Sequence, residues 1–254
     1  MREYNPGKSG VGYHFISGVR FFFAGLGMLF RHPALLALSL IPILATILML
    51  TLLAIGAALL IGRFLSDALL IPLLGDGIAS EVRPVVQAIV FLFSVLFGYF
   101  LYLPLARVLL APFAEAISRK AHQISTGSSY SGEQNWRRAI LDGGKMAMLH
   151  LVVGAGSILL GLAFPPLGVP VGVLIAALLC SLDFMDVPLS ARGLRFGAKL
   201  RVVFRNKPLT MGFGFAAYVM LLIPVVNLLT LPVSVIGATL LTDAAESGGR
   251  AFSD

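Results

Sequence analysis

An uncharged stretch near the end of the chain most constrains its fold. No charged residue lies between Lys207 and Asp243, and Pro224 and Asn227 interrupt this apolar stretch near its middle. The arm before the interruption, Leu209–Ile223, and the arm after it, Leu228–Leu241, are nearly equal in length. As helices, these arms reach only about 20 Å, less than the ~30 Å hydrocarbon core of a bilayer. The stretch therefore predicts a helical hairpin, residues 209–242, that enters a membrane, turns inside it and leaves on the same side.

Composition places the rest of the chain in the same class. Charged residues are 12% of the chain and hydrophobic residues are 58%, whereas soluble domains carry about 25% charged residues. The single cysteine, Cys180, excludes a disulfide framework. The net charge of +7 comes from basic residues in loops between apolar segments. This pattern is typical of inner-membrane proteins, so we expect a lipid bilayer and no nucleic acid as partner.

Further apolar segments predict the other membrane elements. Residues 34–62 and 85–106 contain no charge, and each segment is long enough to span. Residues 13–31 are rich in aromatic side chains and contain Arg20, which favours a helix lying at the interface. An amphipathic helix is predicted from Ala111 to about Ile124.

A second interrupted apolar segment covers residues 146–182. Pro165 and Pro166 divide it into the arms 146–164 and 167–182, and their length leaves open a spanning or a re-entrant hairpin. Asp183 and Asp186 are interpreted as caps of a following helix that starts near Ala191. The two hairpins resemble each other loosely, as in transporters built from repeats, or as any two apolar hairpins do.

The predicted fold class is thus an all-α integral membrane protein with a single membrane domain over residues 1–254. It has two long transmembrane helices, two Pro-broken hairpins interpreted as half-penetrating, and amphipathic interfacial helices. Segments 1–33, 107–145 and 183–208 carry four, six and six Lys or Arg, against two in segment 63–84. By the positive-inside rule, the first three segments and the N-terminus lie in the cytoplasm.

Catalytic and metal-binding patterns are missing from the sequence. The four histidines share no metal-ligand spacing, and no acid pair lies inside an apolar run. We therefore expect no enzyme activity, no metal and no cofactor. Asn227 is the polar residue that stands out, as a cap of the return helix or as part of an anion site at that helix N-terminus.

The tail of the chain resembles a known family. Ile223-Pro224-Val225-Val226-Asn227-Leu228, followed by Pro232 and Gly237-Ala238-Thr239, closely resembles the tail of the CysZ-type sulfate permeases. These permeases belong to the etoposide-induced membrane-protein superfamily. Ala111-Pro112-Phe113 and Asp186-x-Pro188 look like two further signatures in the right order. The resemblance covers about Tyr13 to Asp243 and implies an oligomeric inner-membrane protein that takes up sulfate for cysteine biosynthesis.

One stretch departs from the family pattern. The family binds sulfate at a Gly-Leu/Ile-Arg stretch, often with a second Arg, after the first amphipathic helix. Alignment on Pro33 and Pro42 places it at Ala34, Leu35, Leu36 and Ala37, where both arginine positions are apolar. The nearest cations are Arg31 and His32. The predicted substrate-binding residues are therefore Arg31, His32, Ala34, Leu35, Leu36 and Asn227.

Besides a membrane-embedded enzyme, for which no catalytic constellation is present, two functions compete. The first is an inner-membrane anion transporter for sulfate or a similar small oxyanion, acting as a homo-oligomer. The alternative is a non-transporting membrane-organising or scaffold protein of the same superfamily, which the missing arginines favour. A sulfate flux separates the two.

Overall fold

The described part of the chain is helical between short connections. A computed structural model describes residues 10–60, 84–85, 88–89, 91–92, 111–130 and 136–247, and these ranges contain no strand. The chain divides into two compact units, one formed by Met1–Ser39 with Phe113–Asp254 and the other by Leu40–Pro112.

The helices of the described residues are α1 (Val11–Arg31), α2 (Pro33–Leu60), α3 (residues 111–126), α4 (Trp136–Ala163), α5 (Pro165–Ala191), α6 (Phe196–Arg205), α7 (Lys207–Leu221) and α8 (Pro224–Ser247). Few residues separate α1 from α2, and few residues separate the successive helices within residues 136–247. Proline is the first residue of α2, α5 and α8. A helix tolerates proline there because the first N–H groups have no intrahelical acceptor.

Five helices of the described residues are long and apolar enough to cross a membrane. The segments are Val11–Arg31, Pro33–Leu53, Leu141–Ala163, Pro165–Ala191 and Leu229–Ser247. Together with the helical content, they confirm the predicted fold class of an all-α membrane protein. The interfacial placement of residues 13–31 stays a prediction. Most of the predicted span 85–106 lies outside the described residues.

The first unit is held together by close helix contacts around α1. Helix α1 packs against α7 and α8, and α7 packs against α5. A Cβ atom on Gly18 would lie 2.0 Å from the Leu209 carbonyl oxygen, and one on Gly25 would lie 2.4 Å from the Val233 carbonyl oxygen. Glycine is needed at such points because helix backbones touch there, as is common between membrane helices.

The described residues of the second unit present apolar side chains outward. Along α2, Leu40, Leu44, Leu48 and Leu52 are each exposed at the spacing of one helical face. This helix contains no charged residue after Pro33. An uncharged helix with an exposed leucine stripe is stable only against lipid or another apolar surface.

The hairpin connections differ slightly from those predicted. Helices α4 and α5 meet at Phe164, next to the predicted Pro165 break. Helices α7 and α8 are joined at Leu222 and Ile223, so the turn precedes Pro224 rather than covering residues 224–227. Helix α7 has 15 residues, or about 22 Å. Half-penetration of the two hairpins stays a prediction.

The end of α5 corrects a second interpretation. Asp183 and Asp186 do not cap a helix that starts near Ala191, because α5 runs through both and ends at Ala191. Asp183 Oδ2 lies 3.2 Å from His150 Nε2, and Asp186 Oδ1 accepts a hydrogen bond of 2.8 Å from Lys199 Nζ. These partners from α4 and α6 let two carboxylates stay inside one helix.

The predicted amphipathic helix after Ala111 is present as α3. Its buried face carries Ala114, Ile117 and Ala121, while Ser118 and His122 are buried on the same side. The opposite, partly exposed face carries the charges, including Arg119 and Lys120. Helix α3 thus presents polar groups both to solvent and to α8, which positions the site described next.

Candidate functional site

The junction of α1 and α2 is a single residue. The His32 N–H donates to the Met28 carbonyl oxygen at 3.2 Å, which closes α1. The His32 carbonyl accepts from the N–H groups of Leu35 and Leu36 at 2.9 and 3.2 Å, which opens α2. Because Pro33 has no N–H, the exposed residue Ala34 carries an N-terminal amide of α2. A helix N-terminus has a partial positive charge that favours anions.

The predicted site residues of this junction differ in exposure. Arg31 and Ala34 are exposed, and His32 and Leu36 are partly exposed. In contrast, the Leu35 side chain is fully buried in the apolar core. In the described part of the chain, Arg31 and His32 make no side-chain hydrogen bond or ion pair, so both remain able to bind an anion.

An open pocket of about 470 Å³ lies at this start of α2. Helix α2 contributes Ala34 and Leu38, and the remaining lining comes from α3 and the loop after it: Ala116, Arg119, Lys120, Gln123, Ser129 and Tyr130. Its volume is within the range of about 300–1,000 Å³ that small-molecule sites occupy.

Two cations of α3 lie in the wall of this pocket. Arg119 donates to Glu115 Oε1 through Nε at 2.8 Å and Nη2 at 2.7 Å, so part of its charge is compensated. Lys120 Nζ donates to the neutral Gln123 Oε1 at 3.1 Å. Lys120 therefore keeps its charge for a ligand. Sequence reasoning missed both residues because nothing local links α3 to residue 34.

The opposite side of Tyr130 faces a buried polar cluster centred on Asp243. Asp243 Oδ1 lies 2.8 Å from His122 Nδ1 and also accepts from Arg192 Nη2, while Oδ2 accepts from the Ser125 hydroxyl. A carboxylate only accepts, so His122 carries its proton on Nδ1. On the other side of the ring, His122 Nε2 lies 3.4 Å from Ser128 Oγ.

Arg192 joins this cluster to two more groups. Its Nε donates to Glu246 Oε1 at 2.7 Å, and its Nη1 donates to the Pro188 carbonyl at 2.9 Å. Burial by itself lowers the pKa of Arg192, but the hydrogen bond to Glu246 and the negative charges of Glu246 and Asp243 raise it above its usual value. The guanidinium is therefore charged at every pH at which the protein folds.

Tyr130 connects the pocket to the cluster. Its ring stacks on His122 with centroids 4.1 Å apart, and the Arg192 guanidinium lies 5.0 Å from its centroid. The Tyr130 hydroxyl accepts from Arg192 Nη1 at 3.3 Å. Burial raises the pKa of the Tyr130 phenol above its usual value, although Arg192 opposes this. The neutral ring thus fixes one wall of the pocket.

Asn227 lies elsewhere in the fold. It is exposed in the first turn of α8, where its N–H donates to the Ile223 carbonyl at 2.8 Å. Helix α8 begins before it, at Pro224, so Asn227 is not the capping residue. It is not among the residues that line the pocket. Within the described ranges, no group of three or more His, Cys, Asp or Glu residues could hold a metal ion.

Five helices that are long and apolar enough to cross a membrane define the class of the protein, a multi-pass helical membrane protein. The family model described as "Sulfate transporter CysZ/Etoposide-induced protein 2.4" matches residues 21–232. The match covers most of the chain, and the chain belongs to this family.

Individual relatives agree with the family model. A protein of Pseudomonas aeruginosa named "Sulfate transporter CysZ" is 29% identical over 246 residues, which is 93% of this chain and 98% of the relative. Relatives of the same name in Pseudomonas paraeruginosa and Vibrio cholerae are each 28% identical, over 89% and 56% of this chain and 94% and 60% of their own lengths.

Proposed function

We propose that the protein is a transporter that takes up sulfate across the bacterial inner membrane. The observation that carries this proposal is the family match over residues 21–232. In addition, the chain aligns with 98% of the length of a relative that is named a sulfate transporter. Membership of a transporter family also implies a non-enzymatic role. The alternative of a non-transporting scaffold protein is not favoured by these relatives.

The pocket supplies a chemistry that suits a tetrahedral oxyanion. Sulfate carries two negative charges and accepts several hydrogen bonds, so it binds where cations and N–H donors converge. Here these groups are the Ala34 N–H at the start of α2, the ammonium of Lys120, the Arg119 guanidinium and the Ser129 hydroxyl. In this proposal, the α3 cations replace the arginines that are missing from residues 34–37, and Arg31 and His32 form the first contact.

The side of the membrane on which the site lies follows from the distribution of Lys and Arg along the chain. The three segments with most Lys and Arg lie on the cytoplasmic side in this proposal, and with them the N-terminus. The outward apolar faces of α4, which include Leu151, Leu159 and Leu162, support assembly with further copies of the chain in addition to contact with lipid. Sulfate taken up in this way feeds cysteine biosynthesis.

Uptake of radiolabelled sulfate into liposomes that contain only the purified protein tests the proposal. Wild-type protein is expected to give saturable uptake that excess unlabelled sulfate blocks. Uptake no greater than that of empty liposomes, with the protein shown to be folded and inserted, would exclude sulfate transport.

The pocket cations give a sharper test in the same assay. We expect Arg119→Gln with Lys120→Gln to raise the KM for sulfate at least about a hundredfold, because each removes a charge-assisted hydrogen bond worth about 1.5–3 kcal/mol. The matched control is Arg20→Gln with Lys145→Gln, which removes the same charges outside the pocket and leaves the KM within about twofold. Equal KM values for the two double variants would show that Arg119 and Lys120 of α3 do not bind sulfate.

The junction cations are tested separately. Arg31→Ala with His32→Ala is expected to slow sulfate uptake several-fold at subsaturating sulfate, because the anion loses its first cationic contact. Both side chains are free of hydrogen bonds in the described structure, so folding is unaffected. If the double variant transported sulfate as fast as the wild type, Arg31 and His32 would not be the residues that first contact the anion.

A further inference from the structure

Helix α6 has two chemically different faces. Lys199, Val202 and Val203 are buried. Arg201, Phe204 and Arg205 lie on the opposite side and are exposed, with 43% of Phe204 accessible. The exposed Phe204 ring thus gives this face an apolar side chain between two cations, the composition of a helix that lies on a lipid surface.

The exposed cations near α6 have no carboxylate to balance them. No Asp or Glu occurs between Asp186 and Asp243 in the sequence. Arg195, Arg201, Arg205 and Lys207 are all exposed, and none of them makes an ion pair in the described part of the chain. Buried Lys199, in contrast, makes two ion pairs, with its Nζ 2.8 Å from Asp186 and 3.5 Å from Asp142. The available carboxylates therefore face inward, and the outer face keeps its positive charges.

The position of α6 in the chain places this face at a membrane surface. The apolar segment Pro165–Ala191 ends shortly before α6 begins, and the apolar helix α7 begins directly after the connection at Asn206. A short amphipathic helix that directly follows a candidate membrane span and precedes an apolar helix is expected at the level of the lipid headgroups. Lys207 Nζ also lies 5.7 Å from the centroid of the Phe204 ring, so this cation and the aromatic side chain are neighbours on the same surface.

We propose that a surface formed by the exposed face of α6 (Arg201, Phe204 and Arg205) and the flanking residues Arg195 and Lys207 binds the headgroups of anionic phospholipids. Cations on an amphipathic helix attract anionic lipid, and an apolar side chain on the same face enters the boundary between headgroups and acyl chains. Phe204 selects a lipid over a free anion, since a soluble phosphate offers the ring nothing to contact. The proposal stands independently of sulfate transport.

Lipid contact at this face is measurable by fluorescence quenching in the full-length protein. The chain has one tryptophan, so Phe204→Trp in a Trp136→Phe background gives a reporter inside the proposed surface. The protein is reconstituted into vesicles of phosphatidylcholine and phosphatidylglycerol, with bromine on the acyl chains of one lipid or the other. The ratio of the two quenching efficiencies gives the affinity of the surface for the anionic lipid relative to the neutral one.

We expect a clear preference for phosphatidylglycerol that falls about fivefold for each arginine neutralised, as in Arg201→Gln and Arg205→Gln. Arg201→Lys with Arg205→Lys keeps the charge and should keep most of the preference. Arg20→Gln, an exposed cation on α1, should leave it unchanged. High salt should weaken the preference, because exposed charges are screened.

Three results would overturn the proposal. The first is equal quenching by the two brominated lipids in the reporter protein. The second is a preference that the glutamine variants do not lower. The third is loss of the preference on adding inorganic phosphate but not on adding chloride at the same ionic strength, which would mean that the surface takes a free anion.

Discussion

Replacing Asp243 with alanine is expected to destabilise the protein by about 3–5 kcal/mol, because it leaves buried groups without their shared acceptor. Asp243 accepts from His122, Ser125 and Arg192, and the side chains of Asp243 and Arg192 are only 8% and 7% exposed. Unfolding by SDS titration in mixed micelles measures the change in free energy. Sulfate uptake should fall as well, since the cluster holds Tyr130 in the pocket wall.

A neighbouring carboxylate provides the matched control for Asp243. Glu246 binds the same guanidinium but is 37% exposed, so Glu246→Ala should cost no more than about 1 kcal/mol. Arg192→Met in the Asp243→Ala background should recover part of the loss, because it removes a buried guanidinium whose remaining carboxylate partner is the partly exposed Glu246. If Asp243→Ala and Glu246→Ala had equal effects, the buried cluster would not be a main source of stability.

Much of the helix pattern could be predicted because local residues determine it. Uncharged runs predicted α2, and the prolines at 165 and 224 predicted the positions of the two breaks closely. The predicted end of α5 was wrong, because Asp183 and Asp186, considered without their partners, indicate that the chain leaves the membrane there. Their carboxylates contact the distant residues His150 and Lys199, which lie on other helices. A sequence does not show which distant partner lets a carboxylate remain in a helix.

The candidate site was predicted only in part for a related reason. The junction at Arg31 and His32 follows from the family pattern, and the structure does place Ala34 in an open pocket. The cations Arg119 and Lys120 come from α3, which is far from this junction in the sequence. The Asp243 cluster likewise joins the last helix to α3 and to the end of α5. Packing brings these groups together, and no spacing rule connects them.

The close contact between α1 and α7 leads to the other large effect. Gly18→Ala is expected to destabilise the protein by about 1–3 kcal/mol or more, because a Cβ atom there would lie 2.0 Å from the Leu209 carbonyl oxygen and 2.6 Å from the Phe213 nitrogen. Both neighbours are backbone atoms, so no side-chain rotation relieves the overlap and the helices must separate. SDS titration of the purified protein again measures the change in unfolding free energy.

Gly27, on the same helix, is the control for this substitution. A Cβ atom on Gly27 meets nothing within 4 Å, so Gly27→Ala should stabilise α1 by up to about 1 kcal/mol through higher helix propensity. The same chemical change thus has opposite signs at two positions of one helix. Two stabilising substitutions would mean that α1 does not contact α7 through its backbone, and the arrangement of the first unit around α1 would have to be abandoned.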